Sequence, residues 1–305
     1  EFTVRYLDGR LVLYDDESIE VMKGEDIRCR PFSGATFTLN GVTIGINFHW
    51  ERKEDQTFEG NIRFVAAADG SITVINEIGV EEYLKSVISS EMSAEAPFEL
   101  LRAHAITSRS WLVAMLNKQM QASKIGVPAV RSKETESEIV RWYDREDHVL
   151  FNVCADDHCQ RYQGISKIVT EQAKKAVDDT RGVFLLHGDE VCDARFYKSC
   201  GGLTENFENA WGDTPVPYLR SVSDAERSYS SKSTEPEARD WILSSPEAYC
   251  NTKDAAILKQ ILPSFDQETT DFFRWRVDYR REELERIIHQ RSGFDFGTIM
   301  ALVPL

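Results

Sequence analysis

The order of apolar and polar positions divides the chain into a strand-patterned start and a helix-patterned middle. Up to residue 79, the segments VRYLDGRLVLY, ESIEVM, ATFTLNGVTIGINFHW, GNIRFVAA and GSITVINEI are rich in Val, Ile, Thr and Phe with partial alternation, which predicts short strands. Asn40-Gly41 and Asp69-Gly70 read as hairpin turns, and the charged run 51–56 as a loop. From Val80 the period changes. Leu84, Val87, Ile88 and Glu91 share one face of a helix. After a break at Ser93, Ala94 and Pro97, a second helix reaching about Met120 carries Leu101, Ala105, Leu112 and Leu116 on one stripe, with Arg109 among them. Pro97 suits the first turn of a helix and not its interior. Each helix therefore directs one charged side chain into an otherwise apolar face.

Beyond this pair the pattern weakens. Residues 121–148 are polar and read as an insertion with a short helix over 134–144. Ser166 is placed to cap a helix over 167–178. The stretch 182–198, GVFLLHGDEVCDARFYK, reads as a hairpin turning at Gly188-Asp189, followed by the glycine-containing loop SCGGLTENFENAWG. Residues 222–240 are charged and Ser-rich, as in a surface loop. The segment 254–291 reads as mostly helical with Phe272 and Trp275 as core anchors, and the terminal TIMALVPL as a strand.

Composition narrows the classes. A chain of 305 residues buries a good core in one large domain or two modest ones. No apolar run is long enough to span a bilayer. The net charge of −15, from 36 basic and 51 acidic residues, opposes phosphate backbones and excludes nucleic acid as an expected partner. The chain opens on Glu1-Phe2-Thr3 without a signal peptide, as a mature or trimmed chain would. Six cysteines do not make a disulfide scaffold at this length, and Cys29, Cys192, Cys200 and Cys250 have no interpretable spacing.

Three constellations carry candidate chemistry. Glu91 lies at the end of a buried stripe, where a carboxylate is costly to desolvate. It is either a general acid with a raised pKa, or a helix-end Glu that reaches solvent or a nearby cation. Arg109 either clamps an anionic substrate group or partners a buried acid; a direct pair with Glu91 would depress the Glu91 pKa. In HVLFNVCADDHCQRYQG, the residues His148, Cys154, His158 and Cys159 match a closed tetrahedral zinc site, the alternative being a Cys154–Cys159 disulfide. In FYKSCGGLTE, Tyr197 and Lys198 offer a hydroxyl and a cation, and Gly201-Gly202 would let the backbone approach a ligand. Cys200 is a conceivable nucleophile but has no histidine positioned by sequence to activate it. The bland alternative for this stretch is a tight polar turn.

Taken in order, these stretches resemble the family of stage II sporulation protein D and the LytB amidase enhancer. Residues 72–92, ITVINEIGVEEYLKSVISSEM, are similar to the family's strand followed by (E)xYLxGVVxxEMP. Residues 102–111, RAHAITSRSW, are similar to KAQAVAARTY, and FYKSCGGLTENFENAWGDTPVPYLRSV to STxGGxTExxExVWG…PYLRSV. The resemblance covers about 60–222 well and the helical C-terminal part loosely. Ser93 stands where the motif has proline, and Lys198-Ser199-Cys200 only partly matches the small polar version of the loop.

The element pattern reads as an α+β fold: a strand-rich region 1–60, which is not part of the signature, then a sporulation-protein-D-like catalytic domain 61–305 in which β-hairpins pack with helices, with the insertion near 121–148. The resemblance implies a peptidoglycan lytic transglycosylase that cleaves the MurNAc-GlcNAc bond of strands already stripped of stem peptides, leaving 1,6-anhydro-MurNAc ends. The family's catalytic glutamate falls on Glu91 and its arginine on Arg109. Zinc bound by two His and two Cys falls on His148, Cys154, His158 and Cys159; no organic cofactor is implied. The expected substrate-binding residues are Arg109, Tyr197, Lys198, Ser199, Gly201, Gly202 and Thr204, with Arg109 and Lys198 as candidates for the lactyl carboxylate. One carboxyl suffices for this chemistry, because the sugar's own C6 hydroxyl attacks, whereas hydrolytic glycosidases generally need two. The other reading is a non-catalytic glycan-binding enhancer of a cell-wall amidase. A zinc hydrolase would need an open metal position, which four protein ligands argue against. Either leading reading implies a protein exported to the bacterial cell envelope.

Overall fold

A computed structural model describes residues 1–302 except 47, 49, 68, 126–131, 136–138, 142–147, 169, 213, 264–265 and 268–271. It is an α+β fold, with antiparallel sheets first and helices after them. β1 (Thr3–Leu7) and β2 (Arg10–Tyr14) form a hairpin about Asp8-Gly9, where both residues take positive φ, 50° and 80°. That twist suits a two-residue hairpin turn. β3 (Glu20–Gly24) completes this sheet, and β4 (Asp26–Cys29), β7 (Asn61–Ala66) and β8 (Ile72–Glu77) make a second. Leu11, Leu13 and Ile27 are buried between them beneath Val4, Tyr6, Phe64 and Ile72. The β4–β7 pairing carries the strand-rich part past residue 60. The Asp69-Gly70 hairpin forms as the sequence predicts, with Gly70 at φ 84° between β7 and β8.

Two expectations fail in the third ribbon, β5 (Phe37–Ile44) paired with β6 (Arg52–Phe58). Asn40-Gly41 is not a turn. β5 runs through it with a bulge between Leu39 and Val42, and the Gly41 N–H, at φ 64°, donates to Asp55 at 2.8 Å. The charged run 51–56 lies largely in strand β6, which pairs with β5 and turns Gln56 and Phe58 inward while Lys53 and Asp55 stay exposed.

The helical layer packs against this ribbon. α1 (Val80–Glu91) and α2 (Phe98–Ile125) bury Leu84, Val87, Ile88, Leu101 and Ala105 against Phe58 and Tyr162. The helix expected at 167–178 is α3 (Glu171–Asp179), which adds Ala173, Ala176 and Val177 to the same core. Its cap is Thr170, whose Oγ1 accepts from the Ala173 N–H at 3.1 Å. Ser166 instead sits in a 3-10 turn (Gly164–Lys167) and accepts the Thr57 N–H at 2.7 Å, tying that turn to β6.

Within the expected insertion, β9 (Ser132–Glu134) pairs with β10 (Ile139–Arg141) where a helix was expected over 134–144; most of the rest lies outside the described residues. β11 (Leu186–His187) and β12 (Glu190–Val191) form the expected hairpin about Gly188-Asp189. The C-terminal part carries α4 (Phe207–Ala210), α5 (Glu235–Leu243), α6 (Ala255–Ile261) and α7 (Arg281–Ser292). Among the described residues beyond 205 only Leu262 is buried, so no apolar layer exists there to receive Trp275, which stands 77% exposed rather than anchoring a core. Residues 299–302 form no strand.

Candidate active site and metal centre

Glu91 is the last residue of α1, where unpaired carbonyls and the helix dipole disfavour a negative charge. Its Oε1 accepts the backbone N–H of Arg161 at 2.7 Å, which fixes the carboxyl in place. Burial pushes its pKa above the ordinary range. The Arg161 hydrogen bond and the charges of Arg161 and Lys198 oppose that shift, and Asp157 adds to it. Three segments remote in sequence thus act on one carboxyl: the end of α1, the Cys/His loop, and the loop bearing Lys198.

Arg161 has no counterpart among the residues singled out by sequence. Its guanidinium pairs with Asp157 at 2.5 Å and lies 4.8 Å from the centre of the Trp50 ring. Nothing in the local pattern marks it; its hydrogen bond to Glu91 comes from its backbone, which carries no residue signature. Ser93, the departure from the family's proline, also has a use. Its N–H donates to the Ile261 carbonyl at 3.4 Å, and its Oγ accepts from the Glu95 N–H at 3.2 Å. Proline has no N–H to give α6.

The Arg109 substrate clamp is not met by this geometry. The side chain is 0% exposed. Its Nη2 and Nε donate to the two Glu81 carboxylate oxygens at 2.6 and 3.1 Å, and further bonds reach Val183 O and Val177 O at 3.3 Å. Arg109 joins the start of α1 to α2, α3 and the turn after α3, with no path to a substrate. This is the structural alternative, and because its partner is Glu81, it leaves the Glu91 carboxyl unpaired by Arg109.

His148, Cys154, His158 and Cys159 converge, with one donor atom of each lying within 4.8 Å of the others. His148 Nε2 is 3.2 Å from Cys159 Sγ, and His158 Nδ1 is 3.4 Å from Cys159 Sγ and 3.9 Å from Cys154 Sγ. A tetrahedron with ordinary zinc–sulfur and zinc–nitrogen bonds has sulfur–nitrogen edges of about 3.5 Å, so the set fits such an ion. The thiols are unlinked; their proximity lowers the Cys154 pKa and raises that of Cys159.

The 197–204 loop divides. Lys198 reaches Glu91 electrostatically while its Nζ pairs with Asp266 at 2.5 Å. Tyr197, 44% exposed, borders a shallow hollow with Arg195, Glu205, Phe207 and Trp211. The Arg195 guanidinium lies 4.5 Å from the Trp211 ring centre, and Trp211 is itself 48% exposed. Beneath the loop, Phe196 meets the edge of the fully buried His104, whose pKa burial lowers to about 4.

Gly201 and Gly202 are used differently from expectation. At φ 69° and 95°, a Cβ on Gly201 would meet Arg274 Nη1 at 2.9 Å and one on Gly202 would meet Trp241 at 3.1 Å. Their missing side chains admit the C-terminal part, not a ligand. Thr204 likewise holds backbone, accepting from the Val222 N–H at 2.8 Å and donating to Arg220 O at 3.2 Å. Ser199 Oγ is buried without a hydrogen-bond partner among the described residues. The Cys200 thiol is pushed up to about 12, by burial first and then by Cys250 and Asp224, the opposite of an activated nucleophile.

Comparison with known proteins follows the same outline. Residues 68–187 match the family model of the stage II sporulation protein, and residues 205–305 match a domain of unknown function. An uncharacterised protein of Brachyspira hyodysenteriae is 29% identical over 186 residues, 61% of this chain and 39% of that protein. Stage II sporulation protein D of Bacillus amyloliquefaciens is 28% identical over 148 residues, and that of Bacillus subtilis 28% over 152, each match covering 48% of this chain and 39% of the relative. The chain thus spans about two-fifths of the length of the curated relatives it matches.

Proposed function

Residues 68–187 belong to the stage II sporulation protein D family, and from that premise we propose that this chain acts on the bacterial cell wall as a peptidoglycan lytic transglycosylase. The observation that carries the reading is Glu91, a carboxyl at a helix C-terminus that burial biases toward its protonated form and a backbone N–H holds in place. Protonated Glu91 donates to the glycosidic oxygen as the bond to the MurNAc anomeric carbon breaks. The C6 hydroxyl of the same MurNAc attacks that carbon, and the Glu91 carboxylate takes the hydroxyl proton. The products are a free GlcNAc hydroxyl and a 1,6-anhydro ring; no water is consumed and Glu91 ends protonated.

Lys198 supplies positive charge beside this carboxyl, where the lactyl carboxylate of stripped glycan would compete with Asp266 for it. Tyr197 and Trp211 offer exposed ring faces for neighbouring sugars. His148, Cys154, His158 and Cys159 would hold zinc in a closed tetrahedral site. Bound there, the ion supplies rigidity rather than a reacting group, and the residue it steadies is Arg161, two positions beyond Cys159. The substrate places the protein in the cell envelope; none of the described helices is long and apolar enough to cross a membrane.

Incubation with amidase-treated glycan strands, read by mass spectrometry, tests the proposal. Anhydro-MurNAc ends from the parent and none from a folded Glu91→Gln variant are expected. A parent that yields no such ends but accelerates a cell-wall amidase would transfer the role to the enhancer reading.

A further inference from the structure

Cys200, Asp224 and Cys250 are far apart in sequence, yet their donor atoms lie within 4.8 Å of one another. We propose that they form a second metal site, holding a zinc-like divalent cation by three protein ligands with a fourth position open to water or a ligand oxygen. Cys200 Sγ is 3.8 Å from Cys250 Sγ and 3.4 Å from Asp224 Oδ2. A zinc tetrahedron has a sulfur–sulfur edge of about 3.8 Å and a sulfur–oxygen edge of about 3.5 Å. A disulfide requires about 2.05 Å.

The backbone already fixes all three donors. The Asp224 N–H donates to Gly202 O at 3.0 Å, and the Tyr249 N–H donates to Asp224 O at 2.9 Å. The positive φ of Gly201 and Gly202 turns the chain directly after Cys200. Charge also closes. Two thiolates and a carboxylate bring three negative charges, a divalent cation leaves one, and Arg274 matches it. That guanidinium donates to the carbonyls of Gly201, Trp241, Ser244 and Phe273 at 2.8–3.2 Å. Metal entry releases the two thiol protons and changes no oxidation state. The ligands come from both sides of residue 205, so the ion would join the signature loop to the C-terminal domain. Nothing in this site depends on the glycosidic reading.

The test is elemental analysis of the full chain, purified with zinc in the medium and no chelator, alongside intact mass without reductant. Cys250→Ser is expected to lose one equivalent of metal relative to the parent, whether or not the His148 cluster is filled, while Cys154→Ser loses a different one. Asp224→Asn keeps both thiols and nearly the same volume; it is expected to fold and to hold zinc at least tenfold more weakly in a chelator competition. Should Cys250→Ser fail to fold, that competition decides. Unchanged metal content in folded Cys250→Ser, unchanged affinity in Asp224→Asn, or a Cys200–Cys250 link in the purified parent would overturn the site.

Discussion

Glu91 and Arg109 are both charged residues on apolar stripes, and the difference between them is one of partners. For Glu91, burial raises the pKa in the folded state. A carboxyl raised in this way binds its proton more tightly folded than unfolded. Its contribution to stability is therefore present below the unfolded pKa and lost as pH rises through the folded one. Glu91→Gln should cut turnover by on the order of 10²–10⁴ while melting no lower than the parent at pH 7, with the difference in Tm closing as pH falls below the carboxylate range. Thermal melts at the two pH values check the sign. Arg109→Ala leaves the Glu81 carboxylate without its partner and should cost about 3–5 kcal/mol by denaturant titration, with KM of the folded fraction unchanged. Periodicity announces that position 109 is buried. It cannot announce a partner that lies 28 residues earlier in another helix. Arg161 was illegible for a different reason, since its hydrogen bond to Glu91 comes from an N–H that any residue but proline would supply.

At the scale of elements, the Cys/His loop was legible as a ligand set, while its contact with Glu91 was not. The Arg161 N–H supplies that relation: the loop's backbone holds the Glu91 carboxyl. Removing the proposed zinc should therefore lower thermal stability and glycan cleavage together, and Cys154→Ser should reproduce both losses. A chelated protein with a lower Tm and full turnover would separate the loop from the chemistry. Elsewhere the misread elements share one physical cause. β6 carries charges on its outer face and reads as loop, although Gln56 and Phe58 point inward; the Asn-Gly step of β5 makes a bulge because its strand continues to pair on both sides. In each case the partner strand decided what the local chemistry left open.

At the scale of the whole molecule, the α+β division and the first two helices follow from the change of period at Val80. The place of the C-terminal part does not, because among its described residues almost nothing is buried and polar groups make its contacts with the loop 198–201 and with Ser93. Asp266 pairs with Lys198, whose charge acts on Glu91. Asp266→Asn removes a negative charge from the partner of Lys198, leaving more net positive charge near Glu91, which lowers its pKa. The basic limb of the kcat/KM profile should then move to lower pH. A profile that stays in place would show that the pair only anchors the loop.

The hydrogen bond from Ser93 to Ile261 has a consequence for descent rather than for chemistry. A proline at this position and a helix docked through it are mutually exclusive, because one residue cannot both lack an N–H and donate it. Lineages that acquired the C-terminal domain could gain this bond only where the proline was absent. Loss of the domain would then relax the position again. A survey of relatives with and without that domain should therefore find the two traits inherited as a pair.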